Sequence, residues 1–292
     1  MENITRRQHH VWRYYLEAWA KNDQIFCRQD NKIFYTNLTN IAVINDFYKF
    51  NALTEMDMKH LEYFISKIIP ELKDIDNYII NTFISLLKLK KRDDISSEEM
   101  YKQSKILQIT FEEKLNTEIE NNSIKYIDCL RSSDFSFYNN EKDKLEFNVF
   151  ISAQYFRTRK FKEIYTKLFN NTQYGNSENL VNIIRQIFIV NYSYNMTINN
   201  YKIELISNNS EYPLITGDQP VVNILGDGVN IPKDTILYYP ISPKIAILLY
   251  QNDAIIDKIL DKEKILYYNN KIISNSVKQI FSNNRESLDV TL

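Results

Sequence analysis

Lys202-Ile203-Glu204-Leu205-Ile206 begins with the charged–apolar alternation of a strand that buries one face and wets the other. More strand candidates follow it with no helical pattern between them: Leu214-Ile215-Thr216, Val221-Val222-Asn223-Ile224, Ile236-Leu237-Tyr238-Tyr239 and Ile245-Ala246-Ile247-Leu248-Leu249. Gly217-Asp218-Gln219-Pro220 and Gly226-Asp227-Gly228 separate them as turn signals. Strands grouped in one region, after a helical middle, predict an α+β chain rather than an alternating βαβ sheet. The expectation is a mainly helical N-terminal and central region, helical over about 55–195. A small mixed or antiparallel sheet is then formed largely by the C-terminal third, strand-rich over about 201–250.

Working back from the strands, Leu61, Phe64, Ile65, Ile68, Ile69 and Leu72 form a stripe at helical spacing, continued by Ile75, Ile79, Phe83, Leu86 and Leu87. Pro70 marks a break with a new helix after it. Lys88-Leu89-Lys90-Lys91-Arg92 reads as a solvated helix end that could touch phosphate. Ser96 with Glu99 has capping-box spacing ahead of Ile106, Ile109 and Leu115, and Ser177 is placed to cap the helix through Leu180, Ile184 and Phe188. At the start, Val11, Tyr15, Ala18 and Trp19 share one face of a short helix predicted from Arg6 to Trp19. Ile25-Phe26-Cys27-Arg28 and Lys32-Ile33-Phe34-Tyr35 suggest a hairpin. The chain ends in a predicted helix through Ile265, Ile272, Ile273, Val277 and Ile280.

Composition bounds the rest. At 292 residues, with 44% hydrophobic and 25% charged side chains, the chain can bury a large core and is not of disordered type. Its net charge of -1 removes the basic footprint of a general duplex binder, though not a local basic cleft. Aromatic residues are 13%, a supply of core rings first and of base-stacking faces second. Cys27 and Cys129 lack metal-ligand spacing and read as reduced thiols. The polar, basic start is unlike a signal peptide, and no apolar run reaches the ~18 residues of a membrane span. A cytoplasmic protein without a membrane segment is expected; an apolar helix face leaves the oligomeric state open.

Three polar clusters could carry chemistry. Adjacent histidines, His9-His10, point different ways on a helix and make poor joint metal ligands, so one is expected in a polar cleft. The third, His60, has no HExxH context. In Gln154-Tyr155-Phe156-Arg157-Thr158-Arg159, Gln154 and Arg157 are three apart on one helical face that Phe161 continues. Arginine's rigid fork suits phosphate or carboxylate, so Arg157 either meets a ligand or holds a carboxylate across the core. Arg159 and Lys160 either add a phosphate-facing edge or only solvate the helix. Asp218, delivered by a strand into a turn, can bind a divalent ion, orient a histidine or transfer protons; it can equally hold the turn through backbone bonds.

Taken in order, these pieces resemble proteins of the DUF4238 family. The histidine-rich opening with its Tyr-Leu pair is His9-His10-Val11-Trp12-Arg13-Tyr14-Tyr15-Leu16, and a downstream Phe-Tyr is Phe47-Tyr48. The central Gln and Arg-Thr pattern is Gln154-Tyr155-Phe156-Arg157-Thr158. The Thr-Ser-Asp-Asn-Pro-Val feature is Thr216-Gly217-Asp218-Gln219-Pro220-Val221, with Gly217 and Gln219 replacing the usual serine and asparagine; a Pro-Leu-Ser-Pro feature is Pro240-Ile241-Ser242-Pro243. The resemblance implies one domain over 1–292, a shared polar centre, and an acidic residue in the first helical region, for which Glu62 is the counterpart. It supplies no settled activity.

The leading expectation is a nucleic-acid phosphodiester-cleaving enzyme, in the defence or toxin-like setting that the type of protein resembled implies. His10, Glu62 and Asp218 are its expected catalytic residues, with Glu62 and Asp218 also holding Mg2+ or Mn2+. His9, Gln154, Arg157 and Arg159 would bind RNA or DNA substrate, Arg157 meeting the developing phosphoryl charge. The alternative is a noncatalytic anion- or partner-binding regulatory protein, whose signature is a closed ion-pair network. A third reading, chemistry on a nucleotide-derived group, needs a concave base pocket beside the arginine; no Walker A or dinucleotide fingerprint supports it.

Overall fold

The computed structural model describes residues 6–88, 98–170, 180–226, 234–251 and 258–289. In chain order the N-terminal part holds β1 (Arg7–His9), α1 (Arg13–Leu16), β2 (Gln24–Gln29), β3 (Lys32–Asn37) and β4 (Val43–Asn45). Six helices follow: α2 (Glu55–Ser66), α3 (Pro70–Lys88), α4 (Glu98–Arg131), α5 (Glu141–Phe156), α6 (Arg159–Asn170) and α7 (Val181–Ile198). Then come β5 (Lys202–Asn208), β6 (Thr216–Gly217), β7 (Val222–Asn223), β8 (Ile236–Pro240), β9 (Ile245–Tyr250) and β10 (Ile259–Leu260), with α8 (Lys262–Asn275) and β11 (Gln279–Ser282) last. The class is α+β and mainly helical, as the sequence reading expects. Ser96, Ser177 and the basic stretch beyond Lys88 lie outside the described residues.

Two strand–helix assignments differ from the sequence reading. Residues 7–10 are extended rather than helical, because β1 pairs antiparallel with β4 and His10 N donates to Ala42 O at 2.9 Å. The Gln8 amide fixes that strand further: its Nε2 donates to Ile109 O at 2.8 Å and its Oε1 accepts from Tyr48 N at 2.8 Å. Only Arg13–Leu16 is α-helical, followed by a 3-10 turn at Glu17–Trp19, yet Val11, Tyr15 and Trp19 are buried as their spacing foretold. At the other end Ile280 belongs to β11. α8 stops at Asn275, where Ser276 turns extended (φ −73°, ψ 142°) and its Oγ donates back to Ile272 O at 2.9 Å.

A five-stranded sheet in the order β10-β5-β9-β8-β7 is mixed, with β10 parallel to β5 and the remaining pairs antiparallel. Alternation along its strands serves two cores. Leu237, Tyr239, Ile247 and Leu249 join Tyr15, Trp19 and Phe150 on one side. Tyr238, Ala246 and Leu248 join Ile265 and Ile272 of α8 on the other. A sheet covered on both faces explains why β9 is apolar throughout, a pattern more familiar from parallel sheets. The antiparallel sheet β3-β2-β11-β6 joins the N-terminal hairpin to the C-terminal strand. Among the described residues no helix is long and apolar enough to cross a membrane.

Candidate functional site

α4 carries Glu112, Asn116 and Glu120 at four-residue spacing, which puts them on one face over successive turns. All three face inward. Glu112 is fully buried against Arg185 of α7, with Arg185 Nε 2.7 Å from Glu112 Oε1, and Gln186 Nε2 donates to the same oxygen at 3.2 Å. Glu120 meets Arg157. α5 ends at Phe156, and Arg157 leaves the helix as its C-cap (φ −80°, ψ 19°), so its side chain turns toward α4 and Phe161 begins a separate helix rather than continuing the same face. Arg157 is only 2% exposed. Burial raises the pKa of both glutamates; the paired arginine opposes this in each case.

Phe47-Tyr48 ties the two ion pairs to the histidines. Tyr48 Oη donates to His9 O at 3.0 Å, and Tyr48 O accepts from Asn182 Nδ2 at 2.6 Å. The Arg185 guanidinium lies 5.2 Å from the Phe47 ring centre and 5.4 Å from that of Tyr48, while the His10 ring is 5.5 Å from Phe47. His10 is buried and neither ring nitrogen has a hydrogen-bond partner among the described residues. Burial, aided by the nearby Arg157 charge, lowers its pKa to about 3, so the imidazole is neutral at physiological pH. Burial also lowers His9, with Arg13 and Arg157 adding to the effect.

Unpartnered polar atoms surround this centre. Besides the His10 ring they include Arg157 Nε, Gln154 Nε2, Arg185 Nη1, both amide atoms of Asn116, and Tyr239 Oη. Each buried group left this way costs about 1–3 kcal/mol unless water or a ligand meets it. Gln154 Oε1 has a partner, accepting from Arg157 Nη2 at 3.5 Å.

Asp218 occupies a different position. Its carboxylate accepts from Val277 N at 2.8 Å, Lys278 N at 2.7 Å and Gln279 N at 3.0 Å, which clamps the chain leaving α8 onto the turn after β6. Burial raises its pKa, and those three N–H groups and Arg159 oppose the rise. The neighbouring Gln219 accepts from Thr158 Oγ1 at 2.5 Å and donates to Tyr155 O at 3.2 Å and Val221 O at 2.8 Å. Thr216 Oγ1 and Tyr15 Oη are 2.6 Å apart. The segments that carry the family resemblance are therefore bonded to one another: opening to strand turn, and strand turn to Gln-Arg-Thr.

Of the expected site residues, His9 and His10 lie within electrostatic reach of Arg157, to which Gln154 is bonded. Arg159 pairs with Glu163 at 2.7 Å on the surface, close enough for its charge to act on both His10 and Asp218. Glu62 is exposed on α2, and no bond among the described residues joins it to His10, Arg157 or Asp218. No group of three or more His, Cys, Asp or Glu among the described residues is arranged to hold a metal ion. Glu112, Asn116, Glu120 and Arg185 escaped the sequence reading. The available signal was Val181-Asn182-Ile183-Ile184-Arg185-Gln186-Ile187, where a helix apolar on nearly every side must bury its arginine and so requires a carboxylate elsewhere.

The family described as "Protein of unknown function (DUF4238)" matches residues 7–286. The searches of curated proteins and of solved structures gave no match. A match of that extent, over segments that bond to one another around a common centre, places the chain in the DUF4238 family.

Proposed function

We propose that the centre formed by His10, Arg157 and Gln154 cleaves a phosphodiester, with RNA or DNA in the cytoplasm as the substrate class. The observation that carries this reading is the His10 ring, neutral and unpartnered at both nitrogens beside a guanidinium whose Nε is free. A neutral imidazole can take a proton from an attacking hydroxyl or water; burial and the Arg157 charge make it a weak base in the free protein, and the negative charge of a bound phosphodiester would raise its pKa toward the working range. Arg157 Nε and Gln154 Nε2 are unused donors for the phosphoryl oxygens. The enclosure of His10, 4% exposed, favours an end or an unpaired nucleotide over intact duplex. Growth arrest on expression, relieved by His10→Ala, is the outcome a toxin-like role in defence would give.

The direct test is cleavage of fluorescent RNA, single-stranded DNA and duplex DNA by purified protein, with magnesium, with manganese and with EDTA. Activity on unpaired substrates is expected to fall at least about 100-fold in a folded His10→Ala variant, the usual range for a lost acid–base group. Cleavage by His10→Ala at the parent rate would remove His10 from the chemistry. A specific observation also favours the noncatalytic reading: both guanidiniums already hold a carboxylate. That reading expects phosphate to raise the thermal midpoint through Arg157 with no cleavage under any of these conditions.

A further inference from the structure

Beside the Arg157 segment lies a cavity of about 210 Å³ that the proposed chemistry does not use. Its walls are Tyr155, Phe156 and Phe161, and its polar edge is Lys160, Gln219 and Asn275. The Phe156 and Phe161 rings meet edge-on, with centres 5.4 Å apart and an interplanar angle of 78°, and both also pack on Phe188, which makes the aromatic wall of the recess rigid. Lys160 Nζ donates to Asn275 Oδ1 at 2.6 Å, which fixes the ammonium at the rim.

The cavity connects to the centre through neighbouring residues. Gln219, on its edge, is bonded to Thr158, the residue after Arg157. Thr158 Oγ1 accepts from Phe161 N at 3.3 Å and so caps the first turn of the 12-residue α6, where Arg159 and Lys160 stand. Arg159 acts electrostatically on His10, and both Arg159 and Lys160 interact with Asp218. Positive side chains and a helix N-terminus therefore stand next to an aromatic recess, and the Arg159 charge reaches the histidine, a grouping that suits a base and a phosphate together.

We infer that this recess seats the base of a nucleotide, stacked on Phe156 and Phe161 with its phosphate toward Arg159 and Lys160. The inference rests on the phosphodiester reading for its choice of a nucleotide, and it names the part of the substrate that gives the site its grip. Every base has a face to stack, so the recess holds purines and pyrimidines alike and prefers the larger ring system.

The test is calorimetric titration of the full chain with AMP, UMP, ribose 5-phosphate and inorganic phosphate, repeated on Ile164→Trp and Lys160→Gln. Ile164 is 47% exposed at the mouth, so a tryptophan there fills the recess without entering the packed rings beneath. AMP is expected to bind at least about tenfold more tightly than ribose 5-phosphate, with UMP between them. Ile164→Trp should bring AMP down to the ribose 5-phosphate level, and Lys160→Gln should weaken all the phosphorylated ligands alike. Equal affinity for AMP and ribose 5-phosphate, unchanged AMP binding in Ile164→Trp, or no nucleotide binding by folded protein would each overturn the assignment. AMP held in the recess of a protein that cleaves no nucleic acid would remove the proposed chemistry and leave the recess standing. Cleavage with no preference for AMP over ribose 5-phosphate would do the reverse.

Discussion

A histidine buried without partners has a measurable effect on stability. In the unfolded chain His10 takes a proton near pH 6.5, but in the folded protein it does so only near 3. Between those values the unfolded state binds the proton and the native state does not, so stability declines as pH falls through that window. The contribution is full above pH 6.5 and lost progressively toward pH 3. His10→Gln removes it. The difference in unfolding free energy between pH 7 and pH 4, measured by urea denaturation, is expected to shrink by on the order of 2–3 kcal/mol in that variant. An unchanged difference would mean that the ring has a partner or solvent access in the native state. The same residue shows where sequence reading stops: the pairing of His9 with His10 was visible, but their burial depends on Phe47 and Arg157, far away in the chain.

Elements turn on closer fits. Gly217 is held to its size by what lies across the turn: a Cβ at Gly217 would sit 2.0 Å from Ser276 Oγ and 3.1 Å from Gln279 O. The Ser276 hydroxyl is not free to move aside, because it donates to the last turn of α8. Gly217→Ala is therefore expected to destabilise by about 1–3 kcal/mol, the usual range for an overpacked interior. Adding Ser276→Gly should restore part of that loss, since it removes the nearest clash and leaves the Gln279 carbonyl. Additive losses in the double variant would contradict the fit. Such a coupling could not be read from either position alone, whereas the strand–turn–strand pattern around Asp218 could. Helices α2 and α3 were legible from their stripes, with α3 starting at Pro70. The opening segment misled because its apolar spacing suits a helix, while β4 and the Gln8 amide impose an extended backbone.

Across the whole molecule, the antiparallel sheet β3-β2-β11-β6 is assembled from segments at opposite ends of the sequence. Its middle pair sets Cys27 opposite Phe281, and the Asp218 clamp lies at the entrance to the same strand. Contacts so far apart should open as one unit. Native-state hydrogen exchange is expected to give the amides of β2 and β11 the same opening free energy, reduced equally in both strands by Gly217→Ala. Exchange of β2 at its own, lower energy would show that the hairpin opens separately. The two-core sheet was foreseen as a C-terminal feature, but this second sheet was only half foreseen: its hairpin was read correctly and its β11 was taken for helix.

That arrangement also governs timing. While the chain is being made, the β2–β3 hairpin waits with one edge bare until β11 is available to pair with it, and closing so long a loop is slow. Asp218 likewise has no backbone groups to grip before residues 277–279 exist. A partly synthesised or cleaved chain would keep its histidines and arginines but leave the strand turn beside them unanchored. Completion of one short strand thus closes the sheet and fastens the strand turn in the same event, so the two ends of the sequence become ordered together.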